Sequence, residues 1–212
     1  TQRAIAFWAL PATLGLWVLA EPVVSVCLGG GEFGAEGVKR TSQALRFLTL
    51  TILPVGASGL LARTYYSMGD MKTPVRISSA MLIINVVLNV VFIRGLDMDV
   101  EGLALASAIT TWGNLLLLFP GLGGRLGLPA STDPIMGPLV RMGLAAAVCG
   151  LVASSTHSLG SGLVGPLGAL VLAVGAGAFA YALAAQALSI KEFGELQDRV
   201  RAKLQDLKRG SE

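Results

Sequence analysis

The feature that most constrains this chain is a series of six apolar segments, each long enough to cross a lipid bilayer as a helix. A bilayer core about 30 Å thick requires about 20 residues of helix. The segments lie at about Ala4–Leu28, Ser42–Met68, Thr73–Ile93, Gly102–Leu122, Leu139–Ser158 and Pro166–Leu188. They do not alternate apolar and polar residues, as the strands of a membrane barrel do. The sequence therefore predicts an all-α integral membrane protein with six transmembrane helices.

The composition supports this prediction. Of the 212 residues, 53% are hydrophobic and 14% are charged, whereas ordinary soluble domains carry about 25% charged residues. A chain of this size leaves too much surface to hide so many apolar residues from water. A soluble enzyme is therefore excluded. The net charge of +3 is attributed to loop topology, and no nucleic-acid partner is expected.

Lysine and arginine predict the orientation, because cytoplasmic loops are enriched in them. If the N-terminal edge is cytoplasmic, twelve of the 16 lie on the cytoplasmic side, six of them after residue 188. The other four are Lys39, Arg40, Arg46 and Arg94. We therefore expect a multi-pass protein of the bacterial cytoplasmic (inner) membrane, with its N-terminal edge and its C-terminus in the cytoplasm.

Both ends of the chain carry further signals. The sequence starts TQRAIAFW, without an initiator Met and already at the edge of an apolar run, so we interpret it as the C-terminal piece of a longer protein. Residues 189–212 repeat apolar side chains every three or four positions among charges, which predicts an amphipathic helix. That helix can lie on the anionic inner leaflet or continue the last span into solvent, and both interpretations stay open.

No constellation for catalysis is apparent. His157 is the single histidine and has no evident partner to orient it as a general base. The run Gly29–Gly31 lacks the lysine of a phosphate-binding loop. Cys27 and Cys149 both lie in apolar runs, where a thiol behaves as a small hydrophobe. We expect no enzyme activity, no disulfide and no cofactor.

Prolines and glycines inside the spans predict local irregularities. Proline removes a backbone hydrogen bond and favours a kink. The residues predicted to interrupt the first span are Pro11 and Pro22, and those in the second span are Pro54, Gly56 and Gly59. Hinges of a transporter and simple kinks are both compatible with this pattern. Gly175 and Gly177 in the last span predict a face for close helix packing.

Polar residues at membrane depth are the candidate site. Asn85 and Asn89 are one helical turn apart and share a face, and Ser107 and Thr110 lie in the following span. Their oxygens suit a small hard cation, but the residues alone favour an interhelical hydrogen-bonded pair. Arg46, near an outer helix end, can face a cavity or snorkel to the interface.

An ordered set of motifs resembles the MurJ/MviN family of lipid II flippases. YYSMGDMKTPVRIS resembles the turn "FYA–xx–D–x–KTP–V" of that family, with Ser67 at a position that usually holds alanine. LPATLGLWVLAEPVVSVCLGGGEFG, EGLALASAI and ALSIKEF resemble further family segments in the same order. The matching positions in the turn are Tyr65, Tyr66, Asp70, Lys72, Thr73, Pro74 and Val75.

This resemblance implies a MATE-like transporter of the MOP superfamily with 14 helices, of which this chain would be helices 9–14. Residues 1–122 would form four spans of the second lobe, 123–188 two C-terminal spans, and 189–212 the cytoplasmic tail. The implied function is translocation of the undecaprenyl-pyrophosphate-linked disaccharide peptide, lipid II, by alternating access. The last two spans would border a groove for the lipid tail. Another exporter of the superfamily, or a non-transporting scaffold that binds cell-wall synthesis proteins, is the alternative.

The resemblance also assigns candidate residues. Some members bind Na⁺ in the second lobe, and Asn85, Asn89 and Ser107 occupy the comparable places, with Asn89 where such members have a carboxylate. Sodium or the membrane potential is the implied coupling force. Asp70 and Lys72 are candidates for an inward-facing gate, and Arg46 for substrate contact. We further expect Thr73 to cap the helix that follows the turn, with Pro74 in its first position.

Overall fold

The computed structural model describes residues 2–29, 34–126, 133–162, 164–188 and 194. The seven helices within these residues are α1 (Gln2–Leu28), α2 (Ala35–Thr49), α3 (Ile52–Ser67), α4 (Lys72–Gly95), α5 (Val100–Leu126), α6 (Asp133–Gly160) and α7 (Gly165–Ala187). The described part contains no strand. Six helical stretches are long and apolar enough to cross a membrane, with α2 and α3 forming one of them. The predicted fold class is confirmed, and the predicted spans agree to within a few residues except at the start of the second, where α2 begins at Ala35.

The predicted interruptions are only partly correct. α1 stays helical through both Pro11 and Pro22, so the helix is not broken there, and the kink that these prolines favour stays a prediction. The second span is interrupted, but the break lies at Leu50–Thr51, before Pro54, and α3 continues through Gly56 and Gly59. Pro54 has no N–H and cannot donate to the carbonyl of Leu50 four residues earlier. The helix therefore ends one turn ahead of the proline rather than at it.

The turn between α3 and α4 has a complete set of capping interactions. Gly69 adopts φ +78°, the left-handed conformation that commonly ends a helix. Its N–H donates to the Tyr66 carbonyl at 3.0 Å, and the Asp70 N–H donates to the Tyr65 carbonyl at 3.0 Å. These two bonds form a Schellman motif, which closes α3 and reverses the chain.

Asp70, and not Thr73, caps the start of α4. Its carboxylate accepts the Lys72 N–H at 3.1 Å, the Thr73 N–H at 3.0 Å and the Thr73 hydroxyl at 2.7 Å. The expectation for Thr73 is wrong because α4 starts at Lys72, which makes Pro74 its third residue and not its first. A turn of four residues thus satisfies both helix ends by itself.

The helices pack in two groups that share α1. α6 and α7 form an antiparallel hairpin that packs on α1. In the other group α2 and α3 each contact both α1 and α5, and α4 packs mainly on α5. α4 has few buried residues, and its apolar side chains Leu82, Ile83, Val86 and Val87 are all more than half exposed. Such a surface requires an apolar environment, as a bilayer or a further helix provides.

Candidate functional site

An apolar groove of about 530 Å³ runs between α1, α6 and α7. α1 forms one wall, α7 forms the other, and α6 contributes Cys149 and Ala153 at the back. None of its lining side chains is charged. The lining residues central to the groove are Phe7, Pro11, Gly15, Ala173, Gly177 and Tyr181. A site of this composition binds hydrocarbon and offers almost nothing to a polar headgroup.

Small residues bring α6 and α7 together behind this groove. Ala169, Ala173, Gly177 and Ala185 are buried at intervals of four residues or eight along one face of α7. A β-carbon at Gly177 would lie 3.2 Å from the Ala153 β-carbon and 3.3 Å from the Cys149 carbonyl oxygen. The prediction of a close-packing glycine is therefore confirmed for Gly177. It is wrong for Gly175, which is exposed with open space around it.

A polar furrow lies on the other side of the molecule, between α3, α4 and α5. It consists of two adjoining cavities of about 320 and 410 Å³ that share Ser58, Ser78 and Asn114. The Ser78 hydroxyl donates to Asn114 Oδ1 at 3.3 Å. Every polar side chain that lines the furrow is uncharged. Its chemistry is that of hydroxyl and amide groups alone.

Asn85 of the predicted pair lines this furrow, and Asn89 lies one turn further along α4. Asn89 Nδ2 donates to Asn85 Oδ1 at 3.1 Å, and Asn85 Nδ2 donates to Thr110 Oγ1 at 3.1 Å. Asn89 Oδ1 is buried and has no hydrogen-bond partner within the described residues. The Ser107 hydroxyl donates to the Leu103 carbonyl of its own helix at 2.9 Å. The structure thus brings Asn85 together with Asn89 and Thr110, and leaves one acceptor oxygen open.

Arg46 lines a separate polar pocket of about 550 Å³ between α1 and α2, together with Lys39 and Glu21. Arg46 Nη2 lies 3.7 Å from Glu21 Oε2, and the two side chains are about one-third and two-thirds exposed. Nearby, Arg40 pairs with Glu36 at 3.0 Å and with Asp99. Exposed pairs of this kind contribute little to stability, but they place the start of α2 and the α4–α5 loop at the same end of the molecule.

The other two predicted residues lie at the opposite end. The Asp70 carboxylate holds the first turn of α4, as described above, and Lys72 is exposed. The structure does not bring Asp70, Lys72 and Arg46 together, since Asp70 follows α3 whereas Arg46 lies in the last turn of α2. They therefore belong to different sites.

Three aromatic side chains make hydrogen bonds between helices that were not predicted from the sequence. Tyr65 donates its hydroxyl to the Leu118 carbonyl at 3.0 Å, Trp112 donates Nε1–H to the Leu50 carbonyl at 3.1 Å, and Tyr181 donates its hydroxyl to the Phe7 carbonyl at 2.7 Å. Each joins two helices that are distant in sequence. Two acceptors, Phe7 and Leu50, lie four residues before a proline, and that spacing is the signal that could have found them.

The fold and these sites define a multi-pass helical membrane protein with an apolar groove and a polar furrow at membrane depth. The sequence model of the lipid II flippase MurJ family matches residues 1–174. The chain belongs to that family.

Individual relatives carry the same name. A "Probable lipid II flippase MurJ" of Thermotoga maritima is 30% identical over 193 residues, which are 91% of this chain and 38% of the relative. The Vibrio cholerae protein of that name is 37% identical over 120 residues, 57% of this chain and 22% of the relative. The "Lipid II flippase MurJ" of Burkholderia cenocepacia is 32% identical over 123 residues, which are 58% of this chain and 23% of the relative. The chain spans well under half the length of these relatives.

Proposed function

We propose that this chain forms the later part of a lipid II flippase, which moves the undecaprenyl-linked peptidoglycan precursor across the cytoplasmic membrane by alternating access. The observation that carries the proposal is the family match over residues 1–174, which includes five of the six spans and part of the last. In this proposal residues 1–122 are the second-lobe spans, 123–188 are two C-terminal spans and 189–212 are a cytoplasmic tail.

The apolar groove between α1, α6 and α7 is proposed to hold the polyprenyl tail of the substrate. Exposing a hydrocarbon chain to water costs about 25 cal/mol for each Å² of apolar surface, so an apolar groove keeps the tail away from water while the headgroup crosses a polar cavity. The lining of the groove is uncharged, which fits this occupant and disfavours the pyrophosphate. The headgroup must therefore bind elsewhere in the full-length protein.

A space-filling substitution tests this assignment. Gly15 lines the groove, and a β-carbon there meets no atom within 4 Å. In the full-length protein, Gly15→Phe is expected to fill the groove without disturbing the packing and to reduce lipid II translocation in liposomes severalfold. Gly175→Phe is the matched control, because Gly175 has the same open surroundings but does not line the groove. Equal translocation by the two variants would reject the groove as the tail site.

Sodium coupling is proposed at the Asn85–Asn89 pair. The open oxygen Asn89 Oδ1, with Asn85 Oδ1 and the hydroxyl oxygens of Ser107 and Thr110, is a neutral oxygen set that suits a hard monovalent cation. Because no carboxylate accompanies these residues in the furrow, further ligands must come from the rest of the full-length protein. Any ion that binds only the folded state here would stabilise it by RT ln(1 + c/Kd), where c is the ion concentration, so the stabilisation rises with the logarithm of that concentration.

The sodium proposal is tested by heat unfolding of the full-length protein at increasing Na⁺. A concentration 100 times Kd should stabilise the wild type by about 2.7 kcal/mol, and Asn89→Leu should abolish the response. Potassium at the same ionic strength is the control. The site is disproved if K⁺ stabilises as well as Na⁺ does, or if Asn89→Leu responds like the wild type.

A further inference from the structure

The carbonyl of Phe7 has lost its normal helical partner. In an α-helix this oxygen would accept the N–H of the residue four positions on, but that residue is Pro11, which has no N–H. Phe7 is 3% exposed, and it lines an apolar groove. An unpaired carbonyl in such surroundings is strongly unfavourable, because neither water nor lipid replaces the missing donor.

Tyr181 of α7 supplies the donor. Its hydroxyl lies 2.7 Å from the Phe7 carbonyl oxygen, and its side chain is buried, with 7% exposure. The two rings also contact each other, with centroids 5.3 Å apart and planes tilted by 49°. The hydrogen bond that Pro11 cannot donate to this carbonyl is therefore donated by a residue of another helix, beside the groove.

Tyr181 also belongs to the face of α7 that packs on α6. It follows Ala169, Ala173 and Gly177 at the same spacing of four residues, and it joins a core cluster with Met142 and Ala145 of α6. Its hydroxyl bonds to the Phe7 carbonyl of α1. One side chain of the α7 wall thus contacts both the α1 wall and α6.

We propose that Tyr181 is a positioning residue, which fixes α7 to α1 through the carbonyl that Pro11 leaves free and so sets the width of the apolar groove. The hairpin of α6 and α7 then moves with α1 as one body. The part that concerns the groove depends on the proposed function, because it assumes that the groove holds the polyprenyl tail. The hydrogen bond between Tyr181 and the Phe7 carbonyl, and its dependence on Pro11, do not depend on the proposed function.

The same arrangement occurs at a second proline. Pro54 leaves the Leu50 carbonyl without its helical donor, and Trp112 of α5 donates its indole N–H there at 3.1 Å. Two carbonyls that lie four residues before a proline in this chain therefore each accept a hydrogen bond from an aromatic side chain of a different helix. This recurrence supports a role for the Tyr181 hydroxyl beyond the packing of its ring.

A double-mutant cycle in the full-length protein tests the proposal. Tyr181→Phe keeps the ring and removes the donor, whereas Pro11→Ala restores a backbone N–H for the Phe7 carbonyl. Tyr181→Phe should lower the midpoint of heat unfolding by about 1–2 °C in a protein of the length of these relatives. Adding Pro11→Ala should recover most of that loss. Unfolding is followed by labelling of buried Cys149 with a thiol-reactive fluorophore, after all other cysteines have been replaced.

The groove is measured separately by the affinity for undecaprenyl phosphate, a probe that carries the tail without the sugar headgroup. We expect a loss of about threefold to tenfold in Tyr181→Phe and recovery in the double variant. Tyr66→Phe is the control for loss of a tyrosine hydroxyl, because Tyr66 is exposed and lies at the α3–α4 turn, away from the groove. It should change neither readout.

The outcomes distinguish the anchoring bond between α7 and α1 from the proposed function of the groove. If the double variant unfolds like Tyr181→Phe, or if Tyr181→Phe unfolds like the wild type, the bond does not fix α7 and the proposal is overturned. If the unfolding cycle behaves as expected but tail affinity never changes, the positioning role is overturned. A wild-type protein that binds no undecaprenyl phosphate would refute the groove's proposed function and with it the positioning role, while the unfolding cycle would still establish or reject the anchoring bond.

Discussion

Single side chains at the α3–α5 contact show how closely two membrane helices can approach. Tyr65 is fully buried and its hydroxyl bonds to the Leu118 carbonyl. Gly121, one turn further along α5, leaves the space for that hydroxyl, because a β-carbon there would lie 2.3 Å from the Tyr65 hydroxyl oxygen but 3.6 Å from the ring carbon that carries it. The bond of the Tyr65 hydroxyl therefore requires a glycine at position 121.

We expect Gly121→Ala to destabilise the intact protein by about 1–3 kcal/mol, the usual range for an overpacked site, because the hydroxyl must leave its acceptor. In a Tyr65→Phe background the same alanine should lower the stability much less, because the alanine β-carbon would then lie at ordinary contact distance from the ring. Heat unfolding of the four variants measures the coupling. Gly59→Ala serves as the control, since its β-carbon meets nothing within 4 Å. Additive effects of the two substitutions would contradict this explanation.

Asp70 combines a measurable structural role with the proposed role in a gate. Asp70→Ala removes the cap of α4 and should cost about 1 kcal/mol of stability. Asp70→Asn keeps an acceptor oxygen for the Lys72 and Thr73 N–H groups but removes the charge, so most of the stability should remain. Unfolding midpoints and lipid II translocation, measured on both variants, distinguish the roles. If Asp70→Asn is as stable and as active as the wild type, the charge has no part in gating.

At the scale of helices, the second span consists of two helices with a joint between them. α2 ends at Thr49 and α3 begins at Ile52, and Trp112 of α5 donates to the Leu50 carbonyl inside that joint. The main-chain hydrogen bonding of the span is weakest here, because Pro54 cannot donate. The joint is therefore the place where this span can bend, and Trp112 restrains it.

Trp112→Phe is expected to loosen the joint, because the ring is kept while the donor is lost. Backbone amides near residues 50–55 should then exchange with deuterium several times faster, whereas Pro54→Ala should slow them by allowing an N–H to reach Leu50. Exchange measured by mass spectrometry on the intact protein decides this. Trp17→Phe in α1 provides the control, because no hydrogen bond of its indole is found among the described residues. Unchanged exchange in Trp112→Phe would show that the indole does not restrain the span.

The sequence predicted these elements where local chemistry alone determines them. Six apolar runs sufficed for the spans, and Pro54 correctly indicated an irregular second span. The position of the break follows from the carbonyl four residues before Pro54, but its donor, Trp112, is distant in sequence and could not be predicted. Likewise Gly175 and Gly177 look equivalent in sequence, but only Gly177 lies on the face of α7 that meets α6. Asn85 and Asn89 were paired correctly from helical spacing, whereas the bond from Asn85 to Thr110 depends on the packing of α4 on α5.

At the scale of the whole molecule, the contacts divide the loops between two ends. Arg40 of α2 pairs with Asp99 of the α4–α5 loop, so these two segments lie at one end. Tyr65 near the end of α3 contacts Leu118 and Gly121 near the end of α5, so the α3–α4 turn lies at the other. Together with the lysine and arginine distribution, this leads us to propose that the α3–α4 turn is cytoplasmic and the α4–α5 loop is outside.

Single cysteines in these two loops test the orientation in living cells. Met71 is 66% exposed in the α3–α4 turn and Leu96 is 61% exposed before the α4–α5 loop, so either position accepts a thiol without loss of packing. In a cysteine-free full-length protein, Leu96→Cys should react with a membrane-impermeant maleimide in cells whose cytoplasmic membrane is intact. Met71→Cys should react only after that membrane is permeabilised. The reversed pattern would invert the proposed orientation. Labelling of both cysteines from the same side would show that α4 does not cross the bilayer. That result would contradict the span, because α4 is 24 residues long and has the length and composition of a transmembrane helix.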